Sequence, residues 1–280
     1  MPGLVLEGGS FRPIFSSGVM DALLDADVMF PYCIGVSAGI TDGFSYISKQ
    51  HGRNLKILKD YRHDKRYLGV RNLLTSKSIF GLEFVFEEIP NKLIPFDWET
   101  FQQYEGTFLV GVTNVKTGQI EYLNGKDLDK KNTIVKATCA IPLAFPPISW
   151  QGKEYYDGGI CDSIPVKKAL ADGNDKLLII LTRPSGYVKT CGKSNRFAAN
   201  ILKHRYPNMV EPLLNRHLQY NEAIELCNRL EADGRAVVLR PAEEGIIDSF
   251  EKDTAKIEQS YQYGYRLAQE NMDKIKALFV

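Results

Sequence analysis

The chain reads as an α/β protein: a three-layer α/β/α unit around a mostly parallel central sheet, with a helical C-terminal extension. Two observations carry that reading. Short apolar runs alternate with segments whose apolar residues recur every three or four positions, the grammar of strands followed by helices. From about residue 191 the alternation gives way to two long helical patterns around one short apolar run. The expected division is therefore 1–190, the α/β unit, and 191–280, a mainly helical extension packed on it.

Residues 3–7, Gly-Leu-Val-Leu-Glu, form a buried strand stopped by Gly8-Gly9. Pro13 suits the first turn of a helix, where its missing N–H is no loss, and Ile14, Phe15, Val19, Leu23 and Leu24 continue at helical spacing. The second unit repeats the order. Residues 30–35 are a strand, Ser37 follows the turn, and 38–50 read as a helix through Ile40, Phe44 and Ile47. Residues 107–113 are a strand, with 120–123 as its hairpin partner across Thr117-Gly118. Residues 132–140 are helical and end at a proline-rich stretch. Residues 150–156 make a hairpin about Gln151-Gly152-Lys153 that delivers Asp157-Gly158-Gly159. A short helix at 166–171 and a strand at 176–181 complete the unit. Beyond it, 194–232 and 249–279 are helical, separated by a strand at 236–239. In the last helix Ile257, Tyr261, Tyr265, Ala268, Met272, Ile275 and Phe279 form one apolar stripe, read as packing on the α/β unit.

Bulk properties narrow the function. The 280 residues are 44% hydrophobic and 25% charged, ordinary for a globular chain able to bury a core. A formal net charge of +1 argues against a nucleic-acid partner. The five cysteines are widely spaced, with no Cys-x-x-Cys pair and no Cys/His cluster, so neither a disulfide framework nor a metal site is expected. The N-terminus has no basic stretch followed by an apolar one, and no run of about 18 apolar residues exists. A cytoplasmic location is the resulting expectation. Nothing in the sequence speaks to oligomeric state.

The chemistry centres on Gly35-Val36-Ser37-Ala38-Gly39. Strand, Gly-x-Ser-x-Gly, helix is the context of a nucleophile elbow, and its glycines let strand and helix backbones approach closely. A serine needs a base. Of the four histidines, His51 and His63 follow Ser37 too soon for a Ser-Asp-His order, and His204 and His217 sit among polar helix residues. A carboxylate is the other source of a base, and Asp157 is the best placed, although Asp157-Gly158 also reads as an ordinary hairpin turn. The loop Gly8-Gly9-Ser10-Phe11-Arg12, between a strand and a helix N-terminus, offers backbone N–H groups to an oxyanion.

These pieces together resemble the patatin-like phospholipase family: Gly8-Gly9-Ser10-Phe11-Arg12-Pro13, then Gly35-Val36-Ser37-Ala38-Gly39, then Asp157-Gly158-Gly159, preceded by Ala137-Thr-Cys-Ala-Ile-Pro-Leu-Ala-Phe-Pro-Pro147. The resemblance covers the first 185 residues, and the helical tail is similar to an extension in a bacterial branch of the family. It implies an acyl-ester hydrolase without cofactor or metal, acting on phospholipid or another acyl ester. Ser37 would be the nucleophile, Asp157 the general base, Gly8, Gly9 and Ser10 the oxyanion donors, and Arg12 a nearby positive charge. Two departures are Ser10, where the family usually has glycine, and Pro13, which donates no N–H; they leave a binding or regulatory protein on the same scaffold as an alternative. A Ser-His-Asp hydrolase through His204 or His217 is another. The apolar run 79–98 reads as packed chain, with an acyl groove or lid as the alternative. The basic run 49–66 reads as a solvated helix face, with peripheral contact to anionic membrane head groups as the alternative.

Overall fold

The computed structural model describes residues 1–280, the side chains of Thr75 and Glu244 excepted. Strands β1 (Pro2–Leu6), β2 (Tyr32–Val36), β3 (Thr107–Asn114), β4 (Ile120–Asn124), β5 (Ile148–Trp150), β6 (Lys153–Asp157), β7 (Lys176–Ile180) and β8 (Ala236–Leu239) form one eight-stranded sheet. Its order is β5-β6-β3-β2-β1-β7-β8, with β4 paired to β3 off that path. From β3 through β8 every pairing on the path is parallel, while β4, β5 and β6 pair antiparallel.

Helices α1 (Ile14–Asp25), α2 (Ser37–Ile47) and α3 (Arg53–Tyr61) follow the first two strands. Helices α4 (Asn72–Ser76) and α5 (Trp98–Gln103) bracket a π-helical segment at Phe84–Leu93 that contains Pro90. Helices α6 (Thr133–Thr138) and α7 (Val166–Ala171) are short, and α8 (Lys193–Leu202), α9 (Val210–Ala232), α10 (Thr254–Glu270) and α11 (Met272–Lys276) dominate the C-terminal part.

Both faces of the parallel strands are buried, which is why they read as unbroken apolar runs. Leu4, Leu6, Leu178 and Ile180 point into one core with Phe15 and Val19 of α1, Ile40 and Phe44 of α2 and Ala268 of α10. Val5, Ile34, Leu177 and Ile179 point into the other with Val166 of α7 and Tyr220, Ala223 and Cys227 of α9. The three layers follow from this alternation.

Residues 191–280 do more than pack against the rest. β8 hydrogen-bonds to β7 in parallel and extends the central sheet, and α10 crosses α1 at close range. The crossing is set by glycine. A β-carbon on Gly264 would lie 2.1 Å from the Phe15 carbonyl oxygen, and one on Gly18 would lie 2.0 Å from that of Tyr261. Ile257, Tyr261, Ala268 and Ile275 of the expected stripe are buried, whereas Phe279 is partly exposed.

Gly264→Ala should therefore destabilise the chain. Alanine gains about 1 kcal/mol in helix propensity, but the backbone clash forces the helices apart at a cost of about 1–3 kcal/mol. A lowered urea midpoint is the expected outcome; an unchanged or raised midpoint would show that the crossing gives way without strain.

Candidate active site

The sheet register brings Ser37 and Asp157 together. Val36, the last residue of β2, stands opposite Gly111 of β3, and the next β3 residue, Val112, stands opposite Asp157 of β6. Ser37 follows Val36, so β3 bridges the two side chains. Ser37 Oγ donates to Asp157 Oδ2 at 2.7 Å. Both residues are nearly inaccessible, at 7% and 5% exposure.

The turn at Ser37 is steep. Its φ is 53°, in the left-handed region that non-glycine residues rarely occupy. Surrounding contacts hold it there. Ser37 N–H donates to Thr138 Oγ1 at 2.8 Å, and Thr138 in turn donates to the Gly111 carbonyl at 2.6 Å. Thr41 Oγ1 donates to the Ser37 carbonyl at 3.0 Å. On the next turn, a β-carbon on Gly39 would lie 2.3 Å from the Glu7 carbonyl oxygen, so α2 reaches the end of β1 only with glycine there.

Asp157 is held as firmly. Its Oδ1 accepts from Gly159 N–H at 2.7 Å, its carbonyl accepts from Thr113 Oγ1 at 2.8 Å, and its N–H donates to the Ala140 carbonyl at 2.9 Å. Burial pushes its carboxyl above the usual carboxylate range. The nearby Arg216 guanidinium and the hydrogen bonds from Ser37 and Gly159 pull the other way.

The loop after β1 lies beside Ser37: a β-carbon on Gly8 would sit 3.0 Å from that of Ser37. Its N–H groups are in different states. Gly8 donates to the Ser163 carbonyl at 3.3 Å, Phe11 to Ser249 and Arg12 to Gly9. Among the described residues, the Gly9 and Ser10 N–H groups have no partner within the chain. Ser10 adopts φ 55°, the left-handed conformation for which glycine is the usual residue. Pro13 starts α1 at φ −60°. The Arg12 guanidinium is buried and turns towards Thr182 and Ser249, outside the wall of the cavity described next.

A cavity of about 160 Å³ opens at Ser37. Most of its wall is apolar: Phe11, Ile14 and Phe44, then Tyr67, Phe80, Val85, Phe86, Ile89, Pro90 and Phe96, with Ile141 and Phe145. The run 79–98 does pack into the core, and the same side chains line this cavity. Asp42, Arg53 and Asn54 form a polar patch in the wall. Burial pushes the Asp42 carboxyl up to about 7, against a hydrogen bond from Ser17 Oγ at 2.8 Å. Burial lowers Arg53 to about 10, and its Nε has no partner.

His204 is exposed in the turn after α8, and His217 Nδ1 lies 3.0 Å from the Leu214 carbonyl oxygen within α9. Neither hydrogen-bonds to Ser37 or Asp157, and neither lines the cavity. Among the described residues no group of three or more His, Cys, Asp and Glu side chains is arranged to hold a metal ion.

The family model for patatin-like phospholipase matches residues 4–170, more than half of the chain. The chain belongs to the patatin-like phospholipase family. A second family model, described as a domain of unknown function (DUF6363), matches residues 206–280. Among curated proteins, the uncharacterized protein YjjU of Escherichia coli (strain K12) is 28% identical over 191 residues, covering 65% of this chain and 52% of that protein. Lysophospholipase NTE1 of Coccidioides immitis is 24% identical over 294 residues, covering 98% of this chain and 18% of the relative. The probable lipid hydrolase 463L of Invertebrate iridescent virus 6 is 27% identical over 192 residues, covering 62% and 64%. The chain thus spans about half of the bacterial relative and a small part of the fungal one. The crystal structure of VipD from Legionella pneumophila aligns over 97% of this chain and 66% of its own, at 15% identity and TM-score 0.47.

Within this patatin-like site, sequence reasoning passed over three residues. Thr138 lies in the stretch the family resemblance picked out, but a buried threonine clip has no pattern of its own. Asp42 falls one turn beyond Ser37 on α2 and is hidden among the polar residues of that helix. Arg216 stands beside His217 in what reads as a solvated helix face, yet its Nε donates to the Gly159 carbonyl at 2.5 Å.

A carboxyl that folding raises from 3.8 towards about 7 keeps its proton in the native state and loses it in the unfolded one. Stability from Asp42 is then fully present below about pH 4 and lost as pH rises through 7. Asp157, raised by the same burial, adds to that slope. Thermal melts between pH 4 and 8 should show wild type losing stability with rising pH and Asp42→Asn losing less. Equal slopes would contradict the buried, proton-retaining Asp42.

Proposed function

We propose that the chain is a serine acyl-ester hydrolase acting on lipid esters through Ser37 and Asp157 alone. The observation that carries this reading is the 2.7 Å hydrogen bond from Ser37 Oγ to a buried carboxylate, with no imidazole in contact with either. Ser37 Oγ attacks the ester carbonyl while Asp157 Oδ2 takes its proton. The Gly9 and Ser10 N–H groups receive the oxyanion; Gly8 joins them if it releases Ser163, and Arg12 supplies positive charge behind the loop. Asp157 passes its proton to the departing alcohol. It then deprotonates the water that cleaves the acyl-serine, releasing the fatty acid and restoring the hydroxyl.

The class of substrate follows from the apolar cavity at Ser37, which suits an acyl chain, and from the relatives named as lysophospholipases and a probable lipid hydrolase. Val70 and Leu74, at 77% and 89% exposure, stand in the segment joining the cavity residues Tyr67 and Phe80, with Arg71 and Lys77 beside them. That arrangement favours peripheral contact with a lipid surface. The basic run 49–66 contributes less: Arg53 and Arg62 turn inward, and Lys56, Lys59 and Arg66 pair with Asp60, Glu258, Asp64 and Glu88. All five cysteines are free, in keeping with a reducing cytoplasmic setting. No described helix is long and apolar enough to cross a membrane.

The test is a panel of lysophospholipids, phospholipids and acylglycerols read by mass spectrometry. Ser37→Ala should lose about 10³-fold or more in turnover, and Asp157→Asn about 10²–10⁴-fold, with melting curves intact. Activity of wild type should fall as pH drops through a value above the ordinary carboxylate range, because Asp157 must be ionised to act. Turnover surviving Ser37→Ala would remove the proposal.

A further inference from the structure

A second group of charges lies beside the glycine loop, and the dyad chemistry makes little use of it. Four cationic side chains from separate segments converge there: Arg12 before α1, Arg183 just after β7, Lys189 before α8, and Arg216 on α9. One carboxylate, Glu7 at the end of β1, stands among them. It is 1% exposed and already engaged, accepting from Thr182 N–H at 2.6 Å and from the Tyr220 hydroxyl at 3.0 Å. Among the described residues, none of the four cations comes within ion-pair distance of a carboxylate.

Two of the four are bonded. Arg12 donates to Thr182 and Ser249, and Arg216 to the Gly159 carbonyl. The Arg183 and Lys189 side chains make no hydrogen bond among the described residues, and Arg183 Nε is buried without a partner. Each lies over an aromatic ring: the Arg183 guanidinium lies 4.5 Å from the Tyr187 ring centre, and the Lys189 ammonium 4.2 Å from that of Tyr220. Burial, then Arg216, push the Lys189 ammonium down to about 7, with Arg12 and Arg183 adding to the push and Glu7 opposing it. Sheltered cations that outnumber the one carboxylate among them are costly, and cation–π contact offsets only part of that cost.

The cluster adjoins the dyad. A β-carbon on Gly9 would meet Arg12 Nη2 at 3.1 Å, while its neighbour Gly8 touches Ser37. Gly159 accepts from Arg216 through its carbonyl and donates to Asp157 through its N–H. None of the four cations lines the apolar cavity. Phe44 and Phe86 of the cavity wall belong to the core on one face of the sheet, and Tyr220, beneath Lys189, to the core on the other.

We propose that Arg12, Arg183, Lys189 and Arg216 form an anion site for the phosphate of a phosphate ester, with Arg183 and Lys189 setting specificity for it. A guanidinium matches phosphate oxygens in a fork and an ammonium adds a point charge. The placement suits a lipid whose acyl chain enters the cavity and whose phosphate sits across the glycine loop, so the role in substrate choice rests on the hydrolase reading. A free phosphate ester offers the same chemistry.

Two arms separate the sources. In the first, full-length Ser37→Ala protein, unable to turn over, is titrated calorimetrically with glycerol 3-phosphate and with inorganic phosphate, at ionic strength matched by chloride. Binding is expected, weakened about tenfold when Arg183→Gln or Lys189→Gln is added. In the second, the active chain is compared on lysophosphatidic acid and on monoacylglycerol of the same acyl chain. A head-group site predicts that the ratio of kcat/KM for the two falls about tenfold in either variant. Binding weakened by the variants with an unchanged ratio assigns the site to a free phosphate ester. No phosphate binding above the chloride control overturns the proposal. Arg183→Lys, which keeps the charge, should retain binding and covers a failure of the glutamine variant to fold. If no ester is hydrolysed at all, the calorimetric arm still decides the anion site, so the two failures are distinct.

Discussion

One buried hydrogen bond, between side chains 120 residues apart, sets the terms for the rest of this molecule. A carboxylate out of water is unstable unless its oxygens are satisfied. Asp157 has one oxygen on Gly159 N–H and the other on the Ser37 hydroxyl, with Arg216 near enough to bias it towards ionisation. Reaching that arrangement requires β3 between β2 and β6, in the register that puts Gly111 against Val36 and Val112 against Asp157. It also requires Ser37 to hold a left-handed φ, a strain of about 1–3 kcal/mol that the Thr138 clip and the tight α2–β1 contact sustain.

Much of this was legible in the sequence because local chemistry announces it. Strands buried on both faces leave unbroken apolar runs, and hairpins leave glycines at positive φ, as Gly118 and Gly152 show. Pro13 sits where a missing N–H costs nothing. The glycines about Ser37 mark the close approach of helix and strand seen in the structure. What was not legible depends on distant partners. Nothing in Ala236–Leu239 says that β8 will pair with β7, since strand order is a non-local choice. Arg53 and Arg62 belong to a run that looks solvated, yet one enters the cavity wall and the other caps carbonyls at 250 and 251. Arg216 gave no sign of its position next to Gly159, because a charged residue on a helix reads the same whether it meets water or a buried carbonyl.

The sheet divides the site by chemistry. On one face, α2, α3 and the π-helical segment enclose an apolar cavity; on the other, α9 and the chain after β7 carry cations around Glu7 and Tyr220. Ser37 sits between them at the end of β2. The parts that build this division come from both family-matched regions and the chain between them: Arg216, Tyr220 and α10 lie within 206–280, Ser37 and the glycine loop within 4–170, and Arg183 and Lys189 between the two. The second region therefore reaches the surroundings of Ser37 and Asp157 as well as building the fold. Its β8 continues the sheet, its α10 fixes α1, and its Arg216 touches the residue that holds Asp157.

The most direct measurement is covalent capture of Ser37. Wild-type protein and the Asp157→Asn variant are incubated with a fluorophosphonate at neutral pH and followed by intact mass and peptide mapping. A serine deprotonated by its neighbouring carboxylate predicts a single adduct, on Ser37, forming far more slowly in the variant. A folded wild-type chain that takes no adduct, or takes it on another residue, would contradict the account.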